Sequence, residues 1–231
     1  MKVHVIVPAA GAGTRFGAGI PKQYQRLDDQ PVLQHTVNRL AAAFPDAPIL
    51  VVIAAHDTWF DEVMTTSDPV RVLRCGGETR ASTVRNAVLT LDSESSDDWV
   101  VVHDAVRPCL PVAAAQRLVT ELAGDAVGGL LALPFGDTLK RVDESARVVA
   151  TEPREHLWRA QTPQMFRLGV LRKALDRRDA QDATDEAEAV ERLGLTPRVV
   201  PGSASNLKIT FAEDMRLAAA ILAAQALESL R

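Results

Sequence analysis

A chain of 231 residues, 47% of them hydrophobic, can bury a sizeable core as one large domain, or as one domain with an appendage. Its net charge of −4 argues against a general nucleic-acid binder, so any cations that handle phosphate have to be concentrated locally. Cys75 and Cys109 share no CxxC or zinc spacing and read as structural thiols of a reducing compartment. The start, MKVHVIVP, lacks the pattern of a secretion leader, and no apolar run of about 18 residues could span a membrane. A cytoplasmic location is therefore expected.

The first stretch, Val3–Lys22, reads VHVIVPAAGAGTRFGAGIPK. Val3, Val5, Ile6 and Val7 predict a buried strand, because β-branched residues suit a pleat and both faces are apolar. Pro8 ends it. Ala9, Ala10, Gly11, Ala12 and Gly13 then carry no bulky side chain, so backbone N–H groups can approach a ligand closely and point at phosphate oxygens. Arg15 and Lys22 add cations to the same loop, as a polyphosphate requires. The glycine spacing fits the dinucleotide fingerprint poorly, and the Gly-Lys-Ser/Thr of a Walker A loop is absent. A plain strand-to-helix turn with solvated cations is the competing reading.

Pro31–Phe44 places Leu33, Val37, Leu40 and Phe44 at helical spacing, closed by Pro45. A strand over Ile49–Ala54, a short helix over Thr58–Met64 and a strand over Val70–Cys75 follow. This alternation predicts an α/β sheet, mostly parallel, with helices on both faces. Gly76-Gly77 at the end of that strand, with Thr79 and Ser82 as caps, makes either a backbone-lined notch before a helix or an ordinary capped turn. Trp99–Asp104 is another buried strand. Asp104 lies at its carboxyl end, where doubly wound sheets bind ligands. His103 beside it is a candidate base or, more commonly for a lone histidine, a structural group.

Gly128–Pro134 predicts a further strand. Asp137–Thr151 then reads as a hairpin turning at Asp143–Ser145, too poor in apolar surface to stand alone. Asp182–Leu193 predicts a helix with Ala183, Ala187, Val190 and Leu193 inward. Its Ala183–Glu186 start is equally well a cap or a functional segment. Glu213–Leu230 reads as a closing amphipathic helix. The expected organisation is one domain over 1–231 with a protruding β-arm over 135–155.

PAAGAGTRFG followed by PKQY resembles the nucleotidyltransferases that join a nucleoside triphosphate to a phosphorylated sugar or polyol. The PKQ ending is similar to the isoprenoid-pathway cytidylyltransferases, which act on 2-C-methyl-D-erythritol 4-phosphate. Three later stretches resemble the same family: GGETRASTV, HDAVRP and NLKIT around Lys208, with Leu157–Phe166 matching its substrate-side segment. Thr83 stands where the family usually has serine, and keeps the hydroxyl. The resemblance implies a Rossmann-like nucleotidyltransferase fold with a β-hairpin dimerisation arm. It implies CTP contacts at Pro8, Ala9, Ala10, Gly11, Gly13, Arg15, Lys22, Gly77, Glu78, Thr83, Asp104, Ala105 and Lys208. Acceptor contacts fall on Asp104, Arg107, Thr138, Arg154, Thr162 and Lys208, and Arg15, Lys22, Arg154 and Lys208 become the catalytic cations. Mg²⁺ is implied, held mainly by CTP phosphates, with Asp104 as its protein ligand or as a hydroxyl contact. The partners implied are CTP, methylerythritol phosphate and a second copy docked through the arm, with neither nucleic acid nor membrane. The rivals are a cytidylyltransferase for another polyol phosphate, such as ribitol 5-phosphate, and a non-catalytic nucleotide-binding regulator.

Overall fold

The computed structural model describes residues 1–11 and 19–228. Seven strands form one sheet in the order β11-β7-β10-β6-β1-β4-β5. One half of it is β6 (Trp99–Val102), β1 (Val3–Pro8), β4 (Ile49–Val52) and β5 (Val70–Leu73), with β5 at the edge. These pair in parallel, while β10 (Trp158–Arg167) runs antiparallel between β6 and β7 (Gly128–Pro134), and β11 (Arg198–Pro201) pairs in parallel with β7. The sheet is thus mostly parallel, as predicted. The reversal at β10 had no sequence signal, because strand direction is set by the route of the chain.

The apolar runs are buried on both faces, since successive side chains of a strand point oppositely. Val5, Val7, Ile49, Val51, Trp99 and Val101 pack with α1 (Val32–Ala43) and α4 (Val112–Leu122). Ile6, Leu50, Val52, Val100 and Val102 pack instead with α3 (Arg80–Leu89), α5 (Leu168–Leu175) and α6 (Glu186–Glu191). All four residues of β6 are fully buried. Both cysteines are free thiols, and burial pushes Cys109 up to about 12, which suits a structural role.

Element boundaries moved where a side chain caps the backbone. The helix expected over Thr58–Met64 is α2, only Phe60–Val63, because the Asp57 carboxylate accepts from Trp59 and Phe60 N–H and holds the preceding turn. Likewise α6 starts at Glu186, with Asp185 as its N-cap, and the chain before it forms a 3₁₀ turn over Arg178–Asp182. A small hairpin, β2 (Arg26–Leu27) with β3 (Gln30–Pro31), precedes α1 and was not anticipated. The last helix, α7 (Asp214–Glu228), is not the amphipathic element expected. Ala218 and Leu222 are buried against Leu27, Val32 and Ile209, but Leu217 and Leu227 face outward.

The hairpin expected over Asp137–Thr151 is present as β8 (Leu139–Val142) and β9 (Val148–Glu152), forming a separate two-stranded sheet. Asp143 shapes its turn by accepting from Ser145 and Arg147 N–H, with Ala146 in the left-handed region at φ 60°. Val142, Val148 and Val149 lie exposed along it.

Candidate active site

The carboxyl ends of β1 and β6 open onto two cavities that share a wall. The first is lined by Pro8, Ala9, Ala10, Gly11, Lys22, Gln23, Arg80, Thr83, Asp104, Ala105, Val106 and Lys208. Arg80, Asp104 and Lys208 also line the second, together with Arg107, Gln161, Thr162, Gln164 and Asp185. Their location follows from the topology, because loops at the carboxyl ends of parallel strands diverge and leave a crevice.

Each wall of the first cavity has a local cause. The loop after β1 is pinned by Gln23, whose buried side-chain amide donates to the carbonyls of Ala9 and Gly11, both at 2.9 Å. Gly76 lies behind this loop, and a Cβ there would come within 2.3 Å of the Ala10 Cβ and 2.8 Å of Ile53 O. That close approach accounts for a glycine in the turn that follows β5. Thr79 and Ser82 form a reciprocal capping box at the start of α3. One turn in, the Thr83 hydroxyl donates to Thr79 O at 2.9 Å and accepts from Gly77 N–H at 3.0 Å.

The shared wall is an ion cluster. Asp104 is 6% exposed and is met by Lys208 Nζ at 2.9 Å and Arg107 Nε at 3.4 Å on one oxygen, and by Arg80 Nε at 2.9 Å on the other. Burial alone would raise its pKa, but the charges of Arg80, Lys208 and Arg107 outweigh burial and hold the carboxyl well below the usual carboxylate range. Arg80 also makes a two-pronged contact with the buried Glu186, at 2.6 and 3.0 Å. Arg107 is anchored by donating to Asn206 O at 2.7 Å.

His103 belongs behind this wall. It is fully buried, with Nε2 donating to Arg107 O at 3.2 Å and Nδ1 accepting from the Thr162 hydroxyl at 3.1 Å. Burial is the main reason its pKa falls to about 4, so the ring is neutral near pH 7. This favours the structural reading of His103 over a general base. Thr162 in turn accepts from Asp104 N–H at 3.0 Å, which fixes the strand end carrying the carboxylate.

Of the residues expected from sequence, Pro8, Ala9, Ala10, Gly11, Lys22, Thr83, Asp104, Ala105 and Lys208 converge on the first cavity. Asp104, Arg107, Thr162 and Lys208 converge on the second. Gly13 and Arg15 lie outside the described residues. Glu78 is exposed, and neither it nor Gly77 lines either of these two cavities. Thr138 and Arg154 sit on the exposed arm segment, away from both cavities, with Arg154 Nη1 donating to Gly136 O. Sequence reasoning left Gln23 and Glu186 without roles.

A mostly parallel α/β sheet whose first strand opens onto a cation-lined crevice is the architecture expected of a nucleotidyltransferase. The family model for 2-C-methyl-D-erythritol 4-phosphate cytidylyltransferase, IspD, matches residues 3–224. The chain is 52% identical over 220 residues to the Chromobacterium violaceum protein of that name, covering 95% of this chain and 97% of that one. It is 53% identical over 218 residues to the protein of the same name from Laribacter hongkongensis, covering 94% of each. A crystal structure of 4-diphosphocytidyl-2C-methyl-D-erythritol synthase superposes with a TM-score of 0.84 at 39% identity, covering 96% of this chain and 99% of that one. The Francisella tularensis cytidylyltransferase gives a TM-score of 0.81 at 36% identity, with 96% and 100% covered. The chain belongs to the 2-C-methyl-D-erythritol 4-phosphate cytidylyltransferase family, and it joins CTP and methylerythritol phosphate into 4-diphosphocytidyl-2-C-methyl-D-erythritol and pyrophosphate.

Proposed function

We propose that the first cavity seats CTP, that the second seats methylerythritol phosphate, and that the Asp104–Lys208 pair on the wall between them aligns the two. The observation that carries this reading is that Asp104, Lys208 and Arg80 line both cavities at once. The 4-phosphate of the acceptor is largely dianionic at neutral pH, its second pKa being about 6. Its oxygen therefore attacks the α-phosphorus without a general base. The new P–O bond forms in line as the bond to the β-phosphate oxygen breaks, and pyrophosphate takes the electron pair. What the protein must supply is alignment of two polyanions and cations where charge builds. Arg15, Lys22 and Lys208 fill that role toward the triphosphate. Asp104, Arg107 and Thr162 hold the acceptor side.

The donor set suits Mg²⁺ held mainly by nucleotide phosphate oxygens. Asp104 is the carboxylate of the first cavity and would be the protein group to meet the ion, alongside the three cationic side chains its oxygens already face. When bound, the ion neutralises phosphate charge. Thr138 and Arg154 reach an active site by crossing to a second copy, with the exposed valines of β8 and β9 as the docking surface. The proposed assembly is a homodimer in the cytoplasm; among the described residues no helix is long and apolar enough to cross a membrane. The test is pyrophosphate release from CTP with methylerythritol phosphate in the parent and in Asp104→Asn. The variant should fold yet lose most turnover, and unchanged kcat/KM would overturn the site.

A further inference from the structure

Glu186 is a carboxylate, 1% exposed, that no step of the reaction uses. A buried charge is costly unless it is paired and hydrogen-bonded, and this one spends both oxygens on the Arg80 guanidinium. The fork of Arg80 is thereby fixed in plane, and its Nε–H is aimed at Asp104 Oδ1. Glu186 is not needed to hold α6 in place. Asp185 caps that helix through Glu188 N–H, and Gln164 of β10 bonds both the Asp185 carboxylate and Ala187 N–H. Ala187, Ala189 and Val190 anchor it in the core.

From this geometry we infer that Glu186 is a positioning residue for cytidylyl transfer: it locks Arg80, and through Arg80 it sets the Asp104 carboxylate and its pairing with Lys208 on the wall between the substrates. Three cations (Arg80, Arg107, Lys208) face two carboxylates (Asp104, Glu186), which leaves the wall net positive by one charge. Removing the Glu186 charge frees Arg80 to turn fully onto Asp104 or onto a substrate phosphate. The first move competes with Lys208 for Asp104 Oδ2, and the second leaves Asp104 held by Lys208 and Arg107 alone, so either one changes how the carboxylate and Lys208 are set. Polyanion binding survives, because the cations remain, while alignment in the transition state is lost.

The inference rests on the assignment of the wall to both substrates, which the Asp104→Asn measurement tests separately. Steady-state kinetics of the purified full chain, with CTP and methylerythritol phosphate, should show kcat of Glu186→Gln down roughly 10–10²-fold, the scale of a small misplacement. Its KM values for both substrates should stay within about threefold of the parent, and its circular dichroism and melting should show a folded protein. A merely structural role would lower the melting temperature and leave kcat per folded molecule unchanged. The double variant settles the route. In an Arg80→Gln background, Glu186→Gln should cost nothing further, since the group it positions has gone. Multiplicative losses would overturn the inference. Should Glu186→Gln fold poorly, Arg80→Lys carries the same test, because it keeps the charge and lacks the fork. The same loss of kcat at preserved KM is expected, and kcat within threefold of the parent would refute the positioning role.

Discussion

Around Asp104 both carboxylate oxygens have partners within the chain, whereas the valines of β8 and β9 and the flanking Thr138 and Arg154 are exposed. The difference teaches where preorganisation resides. The wall is assembled when the chain folds, so its electrostatics are in place before substrate arrives. The arm lacks apolar cover of its own, and a two-stranded hairpin is marginal without support. In the proposed homodimer its contribution to catalysis depends on assembly, so the two regions should respond differently to mutation, dilution and pH.

The sharpest break comes from the wall and loop cations. Lys22→Ala or Lys208→Ala should lower kcat roughly 10²–10³-fold, the usual effect of deleting one transition-state donor. Neither should unfold the protein, since the Lys208 side chain is 43% exposed and a partly exposed ion pair contributes little to stability. Folded variants with near-parental turnover would show that the preformed region is not where catalysis resides.

The next effect concerns the base. Thr83 already donates to Thr79 O and accepts from Gly77 N–H, so the cavity edge beside it is fixed rather than adaptable. A fixed edge matches one donor–acceptor pattern, and UTP places a carbonyl where CTP has an amino group. An unpaired buried polar group costs about 1–3 kcal/mol, which predicts roughly 10–10²-fold lower kcat/KM for UTP. Competitive kinetics giving equal values for the two nucleotides would mean that the pocket is remodelled on binding.

How much of this contrast could be read from the chain depended on range. Within the described residues, Ala9–Gly11 and Lys22 were legible because their chemistry is local: small residues, a glycine and a nearby cation. The turn of the arm was legible for the same reason, through Asp143 and Ser145. The wall was legible only in part. Asp104 and Lys208 stood out by position and resemblance, but Glu186 pairs with Arg80 across 106 residues, which no spacing rule reports. A signal did exist. Glu186 stands four residues before the inward Val190, so it shares the buried helical face, and an acid there needs a partner. Gln23 was missed because its amide is used to hold backbone, a role that residue type does not disclose. The direction of β10 was invisible, since its composition suits either pairing.

Subunit mixing tests the arm directly. Equal amounts of Lys22→Ala and Arg154→Ala subunits, exchanged through mild denaturation, should give half mixed dimers, each with two sites. If Arg154 acts across the interface, one site of each mixed dimer joins an intact loop to an intact arm. Activity should then recover to roughly a quarter of the parental value. Confirmed mixed dimers with no recovery would place the arm's function within its own chain, and the contrast between the two regions would collapse.

The smallest expected effect is on stability, and it should touch the wall rather than the arm. His103 is buried behind Asp104, and burial lowers its pKa from the ordinary 6.5 to about 4. The unfolded chain therefore binds a proton on this histidine at a higher pH than the folded one. The sign follows: folded stability is full above about pH 6.5 and declines as pH falls toward 4. By pH 5 the loss should be about 2 kcal/mol, at 1.36 kcal/mol per unit. Asp104 does not confuse this window, because a depressed carboxylate loses its contribution only below its unfolded value of about 3.9. Melting curves at pH 7 and pH 5 should show a larger drop for the parent than for His103→Asn, which has no ring to protonate. The ring itself, followed by NMR, should titrate near 4. An ordinary midpoint near 6.5, or equal drops for the two proteins, would mean that water reaches the ring and that the wall is less closed than its packing implies.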